Sequence, residues 1–447
     1  MENISEANEP QVLLRRVNHQ IAALDELINL QLNNILHHPL LQALEARWRG
    51  LSYIIDAKEN SSEIIIKLLD ITWQEMHRDL TRHMEFDQSE LFAKIYSAEF
   101  GSPGGKPFGL LIGDYTAHIQ GPTTKFDFDV LEGMASIAAA SFAPFVAAVA
   151  PTAFGVDDFA NPLSFSSLDK LFKQEAYGRW RQLRNHPDTR FVGLTMPRVI
   201  LRAPYENLRI HRGSFRFQEK VTENIEHYLW GNGSFAFGVA VVRSFLLTGW
   251  PGTIRGAKPA DEAGGIIEGL PVITHYHGNL IEKFSTELLI DTQDESYIAD
   301  SGLIPICQYA DTGKAILYSN ASVFNSHQSG DEHENINMKL SSMLQYILSA
   351  SRFAHYVKIL GRDWIGTMHS TVEVENKLNR WITDFVASND VDGDLRIKYP
   401  LQEAKVEVTE KIGTADKYRC VIYLRPKLQL EKVDTTLKLI TELQSIQ

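Results

Sequence analysis

Residues 108–150 limit the architectures open to this chain more than any other stretch. Phe108–Tyr115 (FGLLIGDY) is a short apolar run bounded by Gly and Asp. Such a run leaves no polar face for water, which is the mark of a strand covered on both sides. Asp127 and Asp129 then offer caps for an alanine- and serine-rich helix, and FVAAVA, Phe145–Ala150, is a second buried strand. Strand, helix, strand is a β-α-β unit, and alternation of this kind predicts a largely parallel sheet covered by helices. Ala135, Ala138, Ala139 and Ser141 would let the helix approach a neighbour closely. Met134–Phe154 also raises the question of a membrane span, but alanine inserts weakly and Pro144 and Pro151 punctuate the run, so no membrane insertion is expected.

The same alternation extends in both directions. SEIIIKLLDI, residues 62–71, reads as a strand, and Thr72 with Glu75 forms a capping box opening a helix. LDKLFKQEAYGRWRQLRNH reads as a helix and RFVGLTMPRVIL as a strand ended by proline. Glycine, aromatics and proline from Tyr228 to about Gly278 predict long ordered loops. At 447 residues the chain exceeds the roughly 250–300 that one core supports, so two or three domains are expected.

Leu14, Val17, Ile21, Leu24, Ile28, Gln31 and Ile35 step by three and four along one seam of a long helix. The seam fits either core packing or contact with another chain. Pro39 ends that helix near His37 and His38 and starts another carrying Leu41, Leu44 and Trp48, which Gly50 can stop. Adjacent helical side chains point about 100° apart, so the two histidines are poor joint metal ligands and read as a structural corner. Ile336, Leu340, Met343, Ile347, Ala350, Ala354 and Val357 form a second seam of the same spacing, after a polar stretch at 325–335. Ser370 and Glu373 make another capping box, and AKVEVTEKI, YRCVIYLRP and TTLKLI read as three strands, the first two joined by a GTAD turn. The expected architecture is therefore mixed α/β with a largely parallel sheet and covering helices, plus a C-terminal α+β domain. Its divisions are a helical arm at 1–50, a large α/β domain at 51–325 and the C-terminal domain at 326–447.

Chemistry leaves a fainter trace. His275 and His277 share a face if they lie on a strand, but no third metal ligand is identifiable. NDVDGD (389–394) places its glycine too early for a calcium loop, and WGNGSFAFG lacks both a full G-x-G-x-x-G and a P-loop lysine. There is no G-x-S-x-G and no H-E-x-x-H, so no catalytic set, cofactor or metal is expected. Cys307 and Cys420 are too few for a disulfide framework, which suits a reducing compartment, and the acidic, polar N-terminus carries no secretory signal. The net charge of −12 disfavours nucleic acid. Against that background, ten basic residues face three acids between Gly178 and Lys220. Arg202, Arg209, Arg212 and Arg216 are the candidates in it for ion pairing with a partner chain.

In combination, ILHHPLLQALEARWRGL, AKIYSAEFG, ASIAAASFAPFVAA, RFVGLTMPRVILRAPY, EHYLWGNGSFAFG, GGIIEGLPV, RFAHYVKILGRDWIG and YLRPKLQL resemble the large subunit of the type VI secretion contractile sheath, the TssC/VipB family, from about Val17 onward. The resemblance implies a tail-sheath fold and a structural role in the bacterial cytoplasm. Family members pair with a small sheath subunit, stack with neighbouring heterodimers into a tube around an Hcp inner tube, meet a baseplate, contract, and are dismantled by a ClpV-type ATPase. It makes Leu14, Val17, Ile21, Leu24, Ile28, Leu340, Met343 and Ile347 candidates for contact with the small subunit, and Val406, Val408, Val421 and Tyr423 candidates for strand exchange between copies. Family members usually have a longer arm before the position of Val17 and a histidine in place of Lys427. The short arm motivates an alternative, a shortened or non-contractile sheath paralogue acting as scaffold. A metal-dependent α/β enzyme using His275 and His277 is the alternative from another class.

Overall fold

The computed structural model describes residues 9–102, 104–121, 124–159, 165–206, 215, 217–222, 224–257, 264–277, 280–309, 312–326, 332–365, 371–386, 399–410, 417–426 and 437–444. The N-terminal helices are α1 (Glu9–Leu36), α2 (Pro39–Ala57) and α3 (Trp73–Arg82). Then come β1 (Leu111–Ala117), α4 (Thr124–Ser141), β2 (Phe145–Val149), β3 (Val192–Met196), β4 (Val199–Arg202), β5 (Leu229–Gly231) and α5 (Gly233–Thr248). The hairpin β6 (Ile273–His277) and β7 (Leu280–Phe284) precedes α6 (Thr292–Asp300) and β8 (Ile304–Pro305). The chain continues through α7 (Glu332–Ser342), α8 (Leu344–Ile365), α9 (Thr371–Thr383), β9 (Leu401–Glu410), β10 (Lys417–Pro426) and β11 (Leu437–Gln444).

The β-α-β unit is present. β1, β2, β3 and β8 form a parallel sheet in that order, with Phe145 between Leu111 and Val192. β2, β3 and β8 are buried on both faces because side chains alternate into two cores, whereas the edge strand β1, expected to be covered on both sides, is only partly buried, with Thr116 exposed. Phe145, Ala147, Val149, Val192, Leu194 and Met196 pack with α4 and the aromatic cluster of Phe154, Phe172, Tyr177 and Trp180. Val146 and Ile304 turn the other way, onto α5 and the start of α8. α4 approaches closely as its small residues predict: Ala135 and Ala138 are fully buried, and a Cβ at Gly133 would lie 2.9 Å from Leu80 of α3.

Several local expectations change. Asp127 does not cap α4; from its first turn it receives hydrogen bonds from the His118 amide at 2.9 Å and the Trp73 indole at 2.6 Å. Gly50 does not stop α2, which runs seven residues further; it is buried, and a Cβ there would meet the Phe235 ring at 2.4 Å. Residues 62–71 form no ladder: Ile66 and Ile71 pack inward, but Ile65 and Leu68 are exposed and no neighbouring strand lies beside them among the described residues. The helix expected at 168–186 is broken into Leu168–Phe172 and Gly178–Arg184, and RFVGLTMPRVIL divides into β3 and β4. The glycine-rich region expected to be loop contains α5, a helix apolar on all sides because it is buried on nearly all sides. Its N-terminus is capped by Asn232, and Gly233 lies where a Cβ would meet Ile306 at 2.7 Å, so the glycines of WGNGSFAFG serve packing within the chain.

The C-terminal region is α+β. β9, β10 and β11 form an antiparallel sheet in that order, and one face packs on α8 and α9 through Val406, Val408, Cys420, Ile422, Leu424, Phe353, Val357, Val374 and Leu378. The second seam is two helices rather than one: the Leu344 amide bonds to the Asn320 carbonyl at 2.8 Å, which breaks the helix at Met343. The capping box at Ser370, the NDVDGD turn, the GTAD turn and Lys427 lie outside the described residues.

Candidate assembly surfaces

Among the described residues, the hydrogen bonds that hold α1 to the rest of the chain lie toward its C-terminal end. Asn33, the buried residue of α1, accepts the Lys220 amide at 2.8 Å and donates to the Gln218 carbonyl at 3.2 Å, while Asn29 accepts the Gln218 amide at 3.2 Å. Toward its N-terminus the apolar seam stands in solvent: Leu14, Val17, Ile21, Leu24 and Ile28 are 61, 44, 50, 57 and 43% exposed. α2 adds a second exposed row, Leu40, Leu44 and Trp48, spaced at i, i+4, i+8. The sequence marks Leu44 and Trp48 as an apolar face, but nothing in the spacing says that the face is uncovered.

The corner between α1 and α2 is structural. His38 caps α2, its Nδ1 accepting the Leu40 amide at 3.3 Å. His37 stacks on His227 at 4.0 Å with rings 9° apart and lies 3.4 Å from Glu219. Burial, together with the charges of His227 and Arg202, holds its pKa below the usual imidazole value against the pull of Glu219.

Arg202, expected to face a partner chain, faces its own. Only 7% exposed, it grips the Glu219 carboxylate through two nitrogens at 2.6 and 2.9 Å and reaches Glu45 of α2 at 2.9 Å. The Tyr205 amide completes the Glu219 site at 2.9 Å. Burial opposes the Glu219 charge, but Arg202 and that amide outweigh it and keep the carboxyl below its usual pKa. Three further arginines of the basic segment also face their own chain, while Arg179, Arg181 and Lys220 are exposed. Arg198 pairs with Glu287 and Glu226 at 2.6 Å, Arg184 donates to the carbonyls of Val323 and Asp300, and Arg190 lies over the Phe324 ring. Residues 209, 212 and 216 lie outside the described residues.

The other seam lies inside. Leu340 and Met343 (2 and 5% exposed) pack against the C-terminal sheet, and Ile347 (6%) joins the core beneath α5. On the sheet, Val406 and Val408 point into that core opposite Ile422 and Cys420, while Val421 and Tyr423 lie on the other face, registered with Glu407 and Lys405. β9 and β11 are the sheet's edges among the described residues.

Chemistry finds little purchase. Among the described residues no group of three or more His, Cys, Asp or Glu is placed to hold a metal. His275 and His277 lie on β6, registered with Glu282 and Leu280, and their side chains are outside the description. Burial pushes both thiols up, that of Cys420 to about 12, so neither is a ready nucleophile. No helix among the described residues is long and apolar enough to cross a membrane.

Comparison with known proteins places these exposed apolar rows in a family. The chain matches the EvpB/VC_A0108 tail sheath N-terminal domain (VipB) over residues 18–324 and the EvpB/VC_A0108 tail sheath gpW/gp25-like domain over residues 333–443. It is 34% identical to the type VI secretion system sheath protein TssC1 of Pseudomonas aeruginosa, over 97% of this chain and 86% of that one. Looser likenesses are to a cryo-EM structure of the anti-feeding prophage baseplate (TM-score 0.40, 10% identity, 86% of this chain and 84% of that one) and to the PVC sheath complex in its contracted state (0.31, 8%, 87% and 86%). At those scores neither carries an argument. The family matches define a structural protein of contractile tail sheaths. Within that class the chain belongs to the TssC/VipB family, the large subunits of the type VI secretion sheath.

Proposed function

We propose that this chain pairs with a small sheath subunit through the exposed seam of α1, and that the pairs polymerise in the bacterial cytoplasm around an Hcp inner tube. Seated on a baseplate, the sheath contracts to eject that tube, and a ClpV-type ATPase dismantles the contracted form. The chain itself catalyses nothing; its output is mechanical. Residues 1–50 act as the partner-binding arm, 51–325 as the wall and 326–447 as the connector, whose antiparallel sheet exchanges strands with neighbouring copies. Leu340, Met343 and Ile347, committed to intrachain cores, have no part in the first contact.

The observation that carries this reading is the exposed apolar seam of a 28-residue helix whose anchors, among the described residues, lie toward its C-terminal end. A helix with little tertiary packing is marginal in water, and a contiguous exposed apolar stripe marks a protein contact. Co-expression with a small sheath subunit and electron microscopy tests it: long tubes of both chains are expected. A large chain that stays monomeric beside its small subunit overturns the reading, as does a turnover that one side-chain change removes.

A further inference from the structure

Each outer strand of the C-terminal sheet lies beside a helix, β9 beside α9 and β11 beside α8, and at β9 the helix supplies hydrogen bonds to the main chain. In an antiparallel ladder alternate residues turn their N–H and C=O groups toward the neighbouring strand and away from it. On β9 the outward groups of Val406 are taken by one side chain of α9: Asn379 accepts the Val406 amide at 2.8 Å and donates to the Val406 carbonyl at 2.7 Å. One turn earlier on the same helix, Glu375 accepts the Val408 amide at 2.9 Å. At the start of the strand the Leu401 amide bonds to the Phe385 carbonyl at 3.3 Å. The primary amide of Asn379 reproduces the donor and acceptor that a strand residue would offer, so both outward groups of Val406 and the amides of Leu401 and Val408 are occupied from within the chain. A helix that only packed on the sheet through Val374, Leu378 and Ile382 would not need these bonds. Edge strands left open invite pairing with any other chain, and natural sheets close them.

We propose that Asn379 and Glu375 are specificity residues for assembly: they close the β9 edge to main-chain pairing and direct strand exchange with a neighbouring copy to β11. The inference rests on the strand-exchange reading above. Its occupant is an extended segment of a second copy, because a tube built by repetition brings the same edge of every copy against another copy.

The ladder supplies the test. The main-chain groups of Val406 and Val408 turn outward, so those of their partners Ile422 and Cys420 turn toward β11 and bond Leu439 and Thr441, which leaves the main-chain groups of Lys438, Ile440 and Glu442 outward on β11. By the same alternation Ala404 is outward on β9. Ile440→Pro and Ala404→Pro each remove one outward amide hydrogen and keep the bonds to β10. Both variants are co-expressed with a small sheath subunit, with circular dichroism and recovery of the soluble pair as folding controls. Ile440→Pro is expected to lower sedimentable sheath at least tenfold while Ala404→Pro leaves it within twofold of the parent. The reverse result overturns the assignment of edges but keeps strand exchange; sheath unaffected by either proline removes strand exchange itself. In a second measurement the double variant Glu375→Ala, Asn379→Ala, purified alone, is expected to self-associate at several-fold lower concentration than the parent in light scattering. Indistinguishable self-association overturns the guard.

Discussion

Two seams of identical three-and-four spacing meet opposite fates in this molecule. Ile347, on the second, is 6% exposed in a core shared with α5 and the parallel sheet, whereas Ile21, on the first, is 50% exposed. Spacing sets which residues share a helix face; it does not say what covers the face. What separates the seams is their surroundings: α8 is threaded between two sheets, and α1 is pinned by Asn29 and Asn33 toward its C-terminal end, beside the corner where the Arg202 clamp holds Glu219 and Glu45 of α2. One seam holds this chain together, and the other stands exposed.

The clamp offers the largest effect. Arg202→Ala leaves the Glu219 carboxylate buried without its guanidinium, and breaking a buried pair in this way costs about 3–5 kcal/mol. Urea unfolding should show that loss, with faster proteolysis within α1 as the corner loosens; a midpoint like the parent's would mean that the pair is dispensable and the anchoring argument wrong. Next is Ile347→Ala, expected to cost about 2–5 kcal/mol through lost burial and the cavity left behind. A loss under about 1 kcal/mol would mean that the inner seam is loosely packed, and the contrast with α1 would weaken.

Acid should separate the regions as well. His355 of α8 is fully buried, bonded at 2.9 Å to the Ser141 carbonyl and edge-on to Phe100; burial pushes its pKa from the ordinary 6.5 down to about 4. Between those values the unfolded chain binds the proton and the folded chain does not, so stability falls as pH drops through the window, by on the order of 3 kcal/mol in full. His118 acts with the opposite sign: its bond to Asp127 raises its pKa, so its contribution is present at low pH and fades as pH rises. The His355→Gln variant should therefore show a flatter loss of stability from pH 6.5 to 4 than the parent. Parallel curves would remove His355 as a source of acid sensitivity.

Legibility in the sequence followed range of interaction. FVAAVA announced a strand buried on both faces because no residue in it can face water, and α4 announced close packing because its side chains are small. The turn at Pro39 was equally local, a missing amide hydrogen. Residues 62–71 misled because β-branched content reports fitness for a sheet, whereas a ladder needs a partner that no single segment contains. Arg202 misled for a related reason: a run of arginines states charge, and its acids arrive from Glu45 and Glu219, 157 residues before it and 17 after. Asn379 was invisible altogether, since a lone asparagine in a helix gives no sign that a strand edge will lie across from it.

The smallest expected stability change carries the sharpest contrast. Ile21→Ala, alone or with Leu24→Ala, removes methyl groups that already stand in water, so thermal unfolding of the isolated chain should shift by less than about 0.5 kcal/mol per site. The same truncation at Ile347 costs several times more, although the residue type and seam spacing are alike. If α1 carries the small subunit, each lost anchor should weaken pairing by about 1–2 kcal/mol, roughly tenfold in Kd, which titration against the small subunit measures directly. Unchanged stability with unchanged pairing would leave the exposed seam without a role and move the search to Leu40, Leu44 and Trp48 on α2. Unchanged stability with pairing lost would show that a chain can spend one helical face entirely on its partner.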